Sequence, residues 1–225
     1  MLNFFSNNGR GPGTPEEQRA RMVEEQLRAR GIHDDRVLEA MGKVAREEFV
    51  ASQDLAAVYG DHPLPIGAGQ TVSQPYIVAA MVEALALVPK DRVLEVGTGT
   101  GYEAAILAEL AAEVWTIERH KELADKAREI LATLGYANVH VVHGDGSLGL
   151  PQQAPFDKIL VAAAAPRIPE SLVDQLADGG VLVLPVGDRY EQQVHVVRKA
   201  GGVTTVTTRE LCRFVPLVGV EGWEP

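Results

Sequence analysis

The sequence is poor in cysteine and in aromatic residues. Cys212 is the single cysteine among 225 residues, and Phe, Trp and Tyr together make up 5% of the chain. One thiol excludes an internal disulfide, and six scattered histidines beside it give no zinc-ligand spacing. We therefore expect no metal site and a cytoplasmic protein that folds without disulfides.

Long apolar runs and positive charge are also scarce. The run at residues 77–88 contains Glu83 and is shorter than the ~20 residues that a membrane span needs, and no cationic, apolar signal segment opens the sequence. Lys and Arg number 21 against 31 Asp and Glu, so the net charge is −10. No Lys/Arg cluster offsets this charge, so neither a nucleic acid nor a membrane is expected as a partner.

The chain is long and apolar enough to bury one substantial core, since 46% of its residues are hydrophobic. Residues 1–13 are rich in Asn and Gly and are predicted to form a flexible arm. Residues 14–225 are predicted to form a single domain. Within it, residues 14–90 supply N-terminal helices and a Pro/Gly-rich loop, and residues 91–225 supply a sheet.

Capping signals locate the N-terminal helices. Thr14 and Glu17 match a capping box around Pro15, which predicts a helix that ends at Gly31. A short helix is predicted after Asp34. Residues 61–74 are dense in Pro and Gly and are predicted to be an ordered loop, followed by a helix from residue 75.

Strand and helix signals alternate from residue 92 onward. The predicted strands are short and nearly all apolar, at 93–96, 114–117, 139–142, 159–163 and 181–184, with helices near 103–110, 121–134 and 172–176. Such strands are typical of a doubly wound α/β fold, in which helices cover both faces of a mostly parallel sheet. Residues 192–198 and 203–208 predict a C-terminal antiparallel hairpin.

A glycine-rich turn follows the first of these strands. Its sequence, GTGTG at residues 97–101, leads from a strand into a helix, where bare backbone lets a ligand approach closely. The dinucleotide fingerprint places its third glycine three positions after the second, at residue 102, but that position is Tyr102. A nicotinamide cofactor is therefore disfavoured. With Glu95 before it, the turn resembles motif I of the class I methyltransferases, which implies a Rossmann-like fold that binds S-adenosylmethionine.

Carboxylates after the next two strands extend this site. Glu118 lies 21 positions after Gly97, where it can accept hydrogen bonds from both ribose hydroxyls; alternatively it caps the following helix. Asp145 and Gly146 follow the third strand, where the adenine end of the cofactor would lie, although a tight turn is the alternative. The predicted cofactor-binding residues are Glu95, Gly97, Thr98, Gly99, Gly101, Glu118, Arg119, Asp145 and Gly146, with Thr71, Val72, Ser73 and Gln74.

The segments before the glycine turn carry a more specific resemblance. Residues 61–67 (DHPLPIG) and 70–76 (QTVSQPY) resemble the signature of the protein-L-isoaspartate O-methyltransferases, which precedes motif I at this distance. Later blocks similar to that family lie at 142–146, 154–157, 164–169, 184–187 and 213–218. Residues 147–150 lack a tryptophan that many bacterial members have, and residues 163–166 alter the usual Ala-Pro-Pro-type turn, which affects details of the cofactor pocket.

The resemblance implies methyl transfer to the free α-carboxylate of L-isoaspartyl residues in damaged proteins and peptides, which starts their repair through a succinimide. A carboxylate with a pKa of about 3.5–4 is already ionised, so the reaction needs alignment and no general base. Ser73 is then the active-site serine, and its expected role is orientation near a helix N-terminus. By position alone, a serine before a helix is more often an N-cap.

The remaining expectations concern the substrate. The predicted substrate-binding residues are Ile66, Ser73, Val215, Pro216, Leu217 and Val218; residues 215–218 also fit an edge strand in the core. The alternative functions are a methyltransferase with another acceptor and a non-catalytic cofactor-binding module. A nicotinamide-dependent oxidoreductase is the weakest alternative. Isoaspartyl proteins and peptides are the expected partners, and a monomer is the expected state.

Overall fold

The computed structural model describes residues 13–224, so the predicted flexible arm, apart from Gly13, lies outside the described residues. The strands are β1 (Leu64–Gly67), β2 (Gln70–Val72), β3 (Arg92–Val96), β4 (Glu113–Glu118), β5 (Val139–His143), β6 (Phe156–Val161), β7 (Leu176–Gly187), β8 (Gln192–Ala200) and β9 (Val203–Cys212). The α-helices are α1 (Pro15–Arg21), α2 (Asp35–Lys43), α3 (Leu55–Val58), α4 (Pro75–Leu85), α5 (Tyr102–Leu110), α6 (Lys121–Thr133) and α7 (Glu170–Asp174).

Seven of these strands form one sheet in the order β5-β4-β3-β6-β7-β8-β9. β3 to β7 pair in parallel, and β8 and β9 continue the sheet as an antiparallel hairpin. This arrangement confirms the predicted α/β fold with a mostly parallel sheet and a C-terminal hairpin. No helix among residues 13–224 is long and apolar enough to cross a membrane.

Alternating side chains of the sheet pack into two hydrophobic clusters. In β3, Val93 joins a cluster with the N-terminal helices, α4, α5 and α6, whereas Leu94 and Val96 join a second cluster with α7 and the C-terminal segment. Successive residues of a strand point to opposite faces, so an all-apolar strand has to be covered on both sides. The predicted helical layers on both faces are thereby confirmed.

The first predicted helix is interrupted. Its capping box is present, with the Thr14 hydroxyl accepting from the Glu17 amide and the Glu17 carboxylate accepting from the Thr14 amide. After α1, however, the chain forms a π-helical turn at Met22–Leu27 and a 3₁₀ turn at Arg28–Arg30 before Gly31 ends it with φ +97°. The extra residue in a π turn changes which side chains face the core, and both ends of this turn are fully buried.

Several boundaries differ from the predicted ones. The Pro/Gly-rich segment is ordered, as predicted, but it contains the β1–β2 hairpin, whose turn has positive φ at residues 67–69. β7 spans 12 residues rather than four, because its early part pairs with the start of β6 across a register irregularity. α7 therefore begins and ends two residues before its predicted position.

Gly101 provides a test of the packing between the glycine turn and α6. It has φ +91°, and a Cβ there would lie 3.0 Å from Leu131 Cδ1, whereas Gly135 has φ +83° and nothing within 4 Å of its Cβ position. We expect Gly135→Ala to lower the free energy of unfolding by about 1 kcal/mol through backbone strain alone. Gly101→Ala adds a steric clash and should cost about 2–3 kcal/mol, measured by urea unfolding. Equal losses would contradict this packing role.

Candidate active site

The order in which successive strands are added to the sheet reverses at two adjacent parallel strands, β3 and β6. β4 and β5 continue from β3 on one side, and the chain then returns to place β6 on the other side. The loops that leave the carboxyl ends of β3 and β6 diverge and open a crevice, which is where ligands bind in doubly wound sheets. A cleft of about 760 Å³ lies there, including its open mouth, and its wall contains Val96, Gly97, Ala162 and Ala163.

Most of the predicted site residues lie together at this cleft. Its wall includes Thr71, Val72, Ser73, Gly97, Thr98, Gly99, Glu118, Arg119, Gly146, Val215, Pro216, Leu217 and Val218. The predicted residues that do not form its wall are Ile66, Gln74, Glu95, Gly101 and Asp145. Gln74 instead lines a neighbouring groove, and Gly101 packs on α6.

Backbone forms one side of the cleft at the glycine turn. Gly97 has φ +99° and Gly99 has φ +55°, conformations that disfavour a side chain. The Gly97 amide donates to the Ile117 carbonyl (2.9 Å), and a Cβ on Gly97 would lie 3.5 Å from the Ala162 Cβ. The end of β3 is thus packed closely between β4 and β6, and the turn that follows it presents peptide groups to a ligand.

Glu118 is fixed between the glycine turn and α6. It is 5% exposed, and its two carboxylate oxygens accept from the amides of Gly99 (3.0 Å) and His120 (2.9 Å). His120 is the N-cap residue of α6, so the carboxylate lies at the cleft wall and at the helix start together. Each oxygen has a second acceptor position, which leaves capacity for hydroxyl donors in the cleft.

Glu95 lies behind the cleft wall. It is fully buried and accepts a hydrogen bond from the Thr116 hydroxyl, whose oxygen is 2.5 Å from Thr98 Oγ1. Burial raises the pKa of Glu95 well above its ordinary value, and the charge of Glu103 raises it further. Glu95 therefore contacts the glycine turn through a chain of two threonine hydroxyls.

Asp145 connects the cleft to the C-terminal segment. One of its oxygens accepts from the Ser147 amide and hydroxyl (2.9 and 2.7 Å), and the other accepts from the Val220 amide (2.9 Å). Burial raises the pKa of Asp145, but these hydrogen bonds outweigh it and hold the pKa below its usual range. The next residue, Gly146, borders the cleft, and a Cβ there would lie 2.5 Å from Val96 Cγ1.

Ser73 lies where the cleft meets the neighbouring groove. The N-cap of α4 is Gln74 and it makes no side-chain cap hydrogen bond, so Ser73 does not cap this helix. The groove, of about 1090 Å³, shares part of its wall with the cleft, namely Thr71, Ser73, Ala162, Val215 and Pro216. A ligand in each space would therefore meet the other beside Ser73.

Comparison with known proteins agrees with this arrangement. The family model described as protein-L-isoaspartate(D-aspartate) O-methyltransferase matches residues 17–222. This chain belongs to that family. A protein-L-isoaspartate O-methyltransferase of Koribacter versatilis is 58% identical over 207 residues, which cover 92% of this chain and 93% of the relative. One of Methanoculleus marisnigri is 54% identical over 208 residues and covers 92% of this chain and 94% of its own length.

Solved structures of similar proteins have the same fold. A protein-L-isoaspartate O-methyltransferase is 29% identical with a TM-score of 0.81, covering 90% of this chain and 66% of the matched one. A second, titled as a putative protein-L-isoaspartate O-methyltransferase from Plasmodium falciparum in complex with S-adenosyl-L-homocysteine, is 27% identical with a TM-score of 0.79. It covers 92% of this chain and 99% of its own length.

The segment at residues 215–218 lines the cleft. The edge strands of the seven-stranded sheet are β5 and β9, so this segment is not an edge strand of that sheet. It runs beside Ala164 instead, which donates from its amide to the Val215 carbonyl (2.8 Å) and accepts from the Leu217 amide (2.8 Å). Ile66 lies at the other side of the glycine turn, with its Cδ1 3.4 Å from the Cβ position of Gly99.

Two charged residues at or behind the cleft wall, Arg46 and Glu103, were not predicted to belong to the site. Arg46 is fully buried and donates from Nη2 to the Ser73 carbonyl (2.8 Å) and from Nε to the Val58 carbonyl (2.9 Å). Its guanidinium lies 4.7 Å from the centre of the Tyr102 ring, a cation–π distance, and Tyr102 lines the cleft. No local pattern marked Arg46, because its partners are distant in sequence.

Glu103 is the second unpredicted residue. It lies in the first turn of α5, lines the cleft, and has a buried Oε1 without a hydrogen-bond partner among residues 13–224. Burial raises its pKa to about 8. An acidic residue two positions after the last glycine of the turn was the available signal.

The raised pKa predicts a pH-dependent stability. The unfolded carboxyl has a pKa of 4.5 and the folded one about 8, so the folded protein holds the proton more tightly. The contribution of Glu103 to the free energy of unfolding is then greatest below about pH 4.5. It falls as the pH rises to about 8. Glu103→Gln should make the decrease in the free energy of unfolding between pH 5 and pH 8 smaller by a few kcal/mol, about 5 at most. Urea unfolding at the two pH values measures it. The exposed Glu129→Gln is the control, and identical pH dependence in all three proteins would refute the assignment.

Proposed function

We propose that this chain transfers a methyl group from S-adenosylmethionine to the free α-carboxylate of L-isoaspartyl residues in damaged proteins and peptides, which initiates their repair. The observation that carries the proposal is the junction of two spaces at Ser73. One space is walled by the glycine turn and Glu118, and the other is a wide groove open to solvent. A reaction between a small cofactor and a polypeptide needs both spaces to meet at one point.

The cleft residues fit S-adenosylmethionine chemically. Glu118 offers acceptors for a ribose diol, and the glycine turn allows close approach of the ligand to peptide groups. Glu103, whose buried Oε1 has no hydrogen-bond partner among residues 13–224, would be an acceptor for the ammonium group of the cofactor. When bound, the cofactor supplies an electrophilic methyl group on a sulfonium sulfur.

The protein's own contribution is orientation. The attacking carboxylate is ionised at neutral pH, so no side chain has to remove a proton. The task left for the chain is to align the carboxylate oxygen with the methyl carbon, and alignment alone can supply several kcal/mol. Ser73 is the proposed orienting group, and Arg46 holds its backbone from the buried side. Residues 215–218 would cover the reacting groups and exclude water.

We also propose that the enzyme works as a monomer in the cytoplasm and on polypeptides rather than on nucleic acid or membranes. The net charge of −10 supports this choice of partner, since phosphate surfaces repel an acidic protein. A chain with one cysteine is compatible with a reducing compartment.

The proposed reaction is tested by substrate selectivity. The protein is incubated with methyl-labelled S-adenosylmethionine and with an L-isoaspartyl peptide or its aspartyl twin. Label should appear on the isoaspartyl peptide alone and should be released by base, because a carboxylic ester is base-labile. Cofactor binding without label on either peptide would contradict the proposal and favour another acceptor or a non-catalytic role.

The role of Ser73 is tested by substitution. Ser73→Ala removes the hydroxyl at the junction of the two spaces, so kcat should fall by about 10- to 100-fold, the usual effect of losing one orienting contact. The affinity for S-adenosylmethionine, measured by calorimetry, and the urea midpoint should change little. Ser52→Ala, at a serine outside both walls, is the matched control. Wild-type kcat in Ser73→Ala would exclude the orienting role.

A further inference from the structure

We propose that Arg189 and Arg213 form an anion-binding subsite in the peptide groove, so that the enzyme prefers isoaspartyl substrates with acidic residues near the damaged position. This inference rests on the proposed function and specifies its substrate. The peptide groove is the space next to the cofactor cleft, and its wall consists of Pro63, Thr71, Ser73, Gln74, Ile77, Ala162, Arg189, Arg213, Phe214, Val215 and Pro216.

The charge of the groove opposes that of the chain. The sequence carries a net charge of −10, with 31 acidic residues against 21 Lys and Arg. As formed by the described residues, the groove wall nevertheless contains two arginines and no acidic residue. Because the surface as a whole repels acidic peptides, a cationic wall confined to the substrate groove directs an acidic segment to that place.

Among residues 13–224, neither arginine is engaged by a carboxylate. In the part of the chain that the structure describes, the ion pairs within 4.0 Å involve other Arg, Lys and His residues. Both side chains are exposed, so their guanidinium groups are open to a ligand. A guanidinium presents a planar fork of donors that matches a carboxylate, which makes a Glu or Asp side chain the fitting partner.

Arg189 is held by an aromatic ring. Its guanidinium carbon lies 4.9 Å from the centre of the Trp223 ring, a cation–π distance, and the Trp223 indole donates to the Ala164 carbonyl (3.1 Å). The loop that carries Arg189 is itself closed by Asp188, which accepts from the amides of Tyr190 (2.7 Å) and Glu191 (2.9 Å). The long side chain is thereby restrained, which lowers the entropy lost when an anion binds.

Arg213 lies in the segment that covers the junction with the cofactor cleft. It immediately precedes residues 214–216, which line the groove, and Val215 and Pro216 also line the cleft. The next residue, Phe214, donates from its amide to the Gln192 side chain (2.8 Å), which fixes the backbone here. A peptide whose isoaspartyl residue reaches Ser73 therefore passes along a wall that carries both cations.

The test uses three isoaspartyl peptides that differ only in flanking residues, with Glu, Gln or Lys on both sides of the damaged residue. Methyl-ester formation gives kcat/KM for each peptide. We expect the order Glu, Gln, Lys, with the Glu peptide about five-fold above the Gln peptide, as partly exposed ion pairs allow. The ratio should fall toward one between about 0.01 M and about 1 M salt, as the Debye length falls from about 30 Å to about 3 Å.

Substitutions then test whether Arg189 and Arg213 cause the preference for the Glu-flanked peptide. Arg189→Gln and Arg213→Gln should each lower the Glu-to-Gln ratio of kcat/KM, and the double variant should bring it close to one. Arg209→Gln, at an exposed arginine of β9 outside the groove, is the matched control and should keep the wild-type ratio.

The outcomes separate the two proposals. Base-labile esters on all three peptides at equal kcat/KM would overturn the subsite while leaving the methyl transfer intact. An arginine variant that slows all three peptides by the same factor would also overturn it, because the side chain would then serve the damaged residue itself. No ester on any peptide despite cofactor binding would overturn the proposed function and the subsite with it.

Discussion

Parallel pairing of β3 with β4 on one side and β6 on the other is the constraint from which the site arises. Because the connections after β3 and β6 leave in opposite directions, no backbone fills the space beyond their carboxyl ends. Gly97 and Ala162 stand at that edge and form facing walls. Glu118 is held at this opening by the Gly99 amide, and residues 215–218 are held there by Ala164.

Two buried acids belong to this opening, Glu103 in its wall and Glu95 behind it. Glu95 and Glu103 are buried near each other, and each has an oxygen without a partner among the described residues. Burial of an unpaired carboxylate is costly, so these groups retain protons to a pH well above that of an exposed acid. A cationic ligand offsets that cost, whereas an anionic one adds to it. The polar character of the cleft thus matches a sulfonium cofactor better than a nucleotide phosphate.

Local patterns predicted β3, the glycine turn after it and the position of Glu118, because each depends on residues near one another in sequence. The contacts of Asp145 illustrate what such patterns miss. Its role as a cofactor residue stays a prediction, whereas its hydrogen bonds to Ser147 and to the amide of Val220, 75 positions away, had no local signal. The β1–β2 hairpin was missed for another reason: its strands have four and three residues, too few to show alternation. The role of Ser73 stays a prediction from family resemblance and position.

The two spaces are joined by a buried side chain as well as by their shared wall. Arg46 donates to the backbone of Ser73 and stacks on Tyr102, the first residue of the helix that follows the glycine turn. Because the reaction needs no proton transfer, its rate depends on the relative placement of two bound molecules. Arg46 contacts both the first residue of α5 and the backbone of Ser73, so it is placed to fix the two sides of the junction relative to each other.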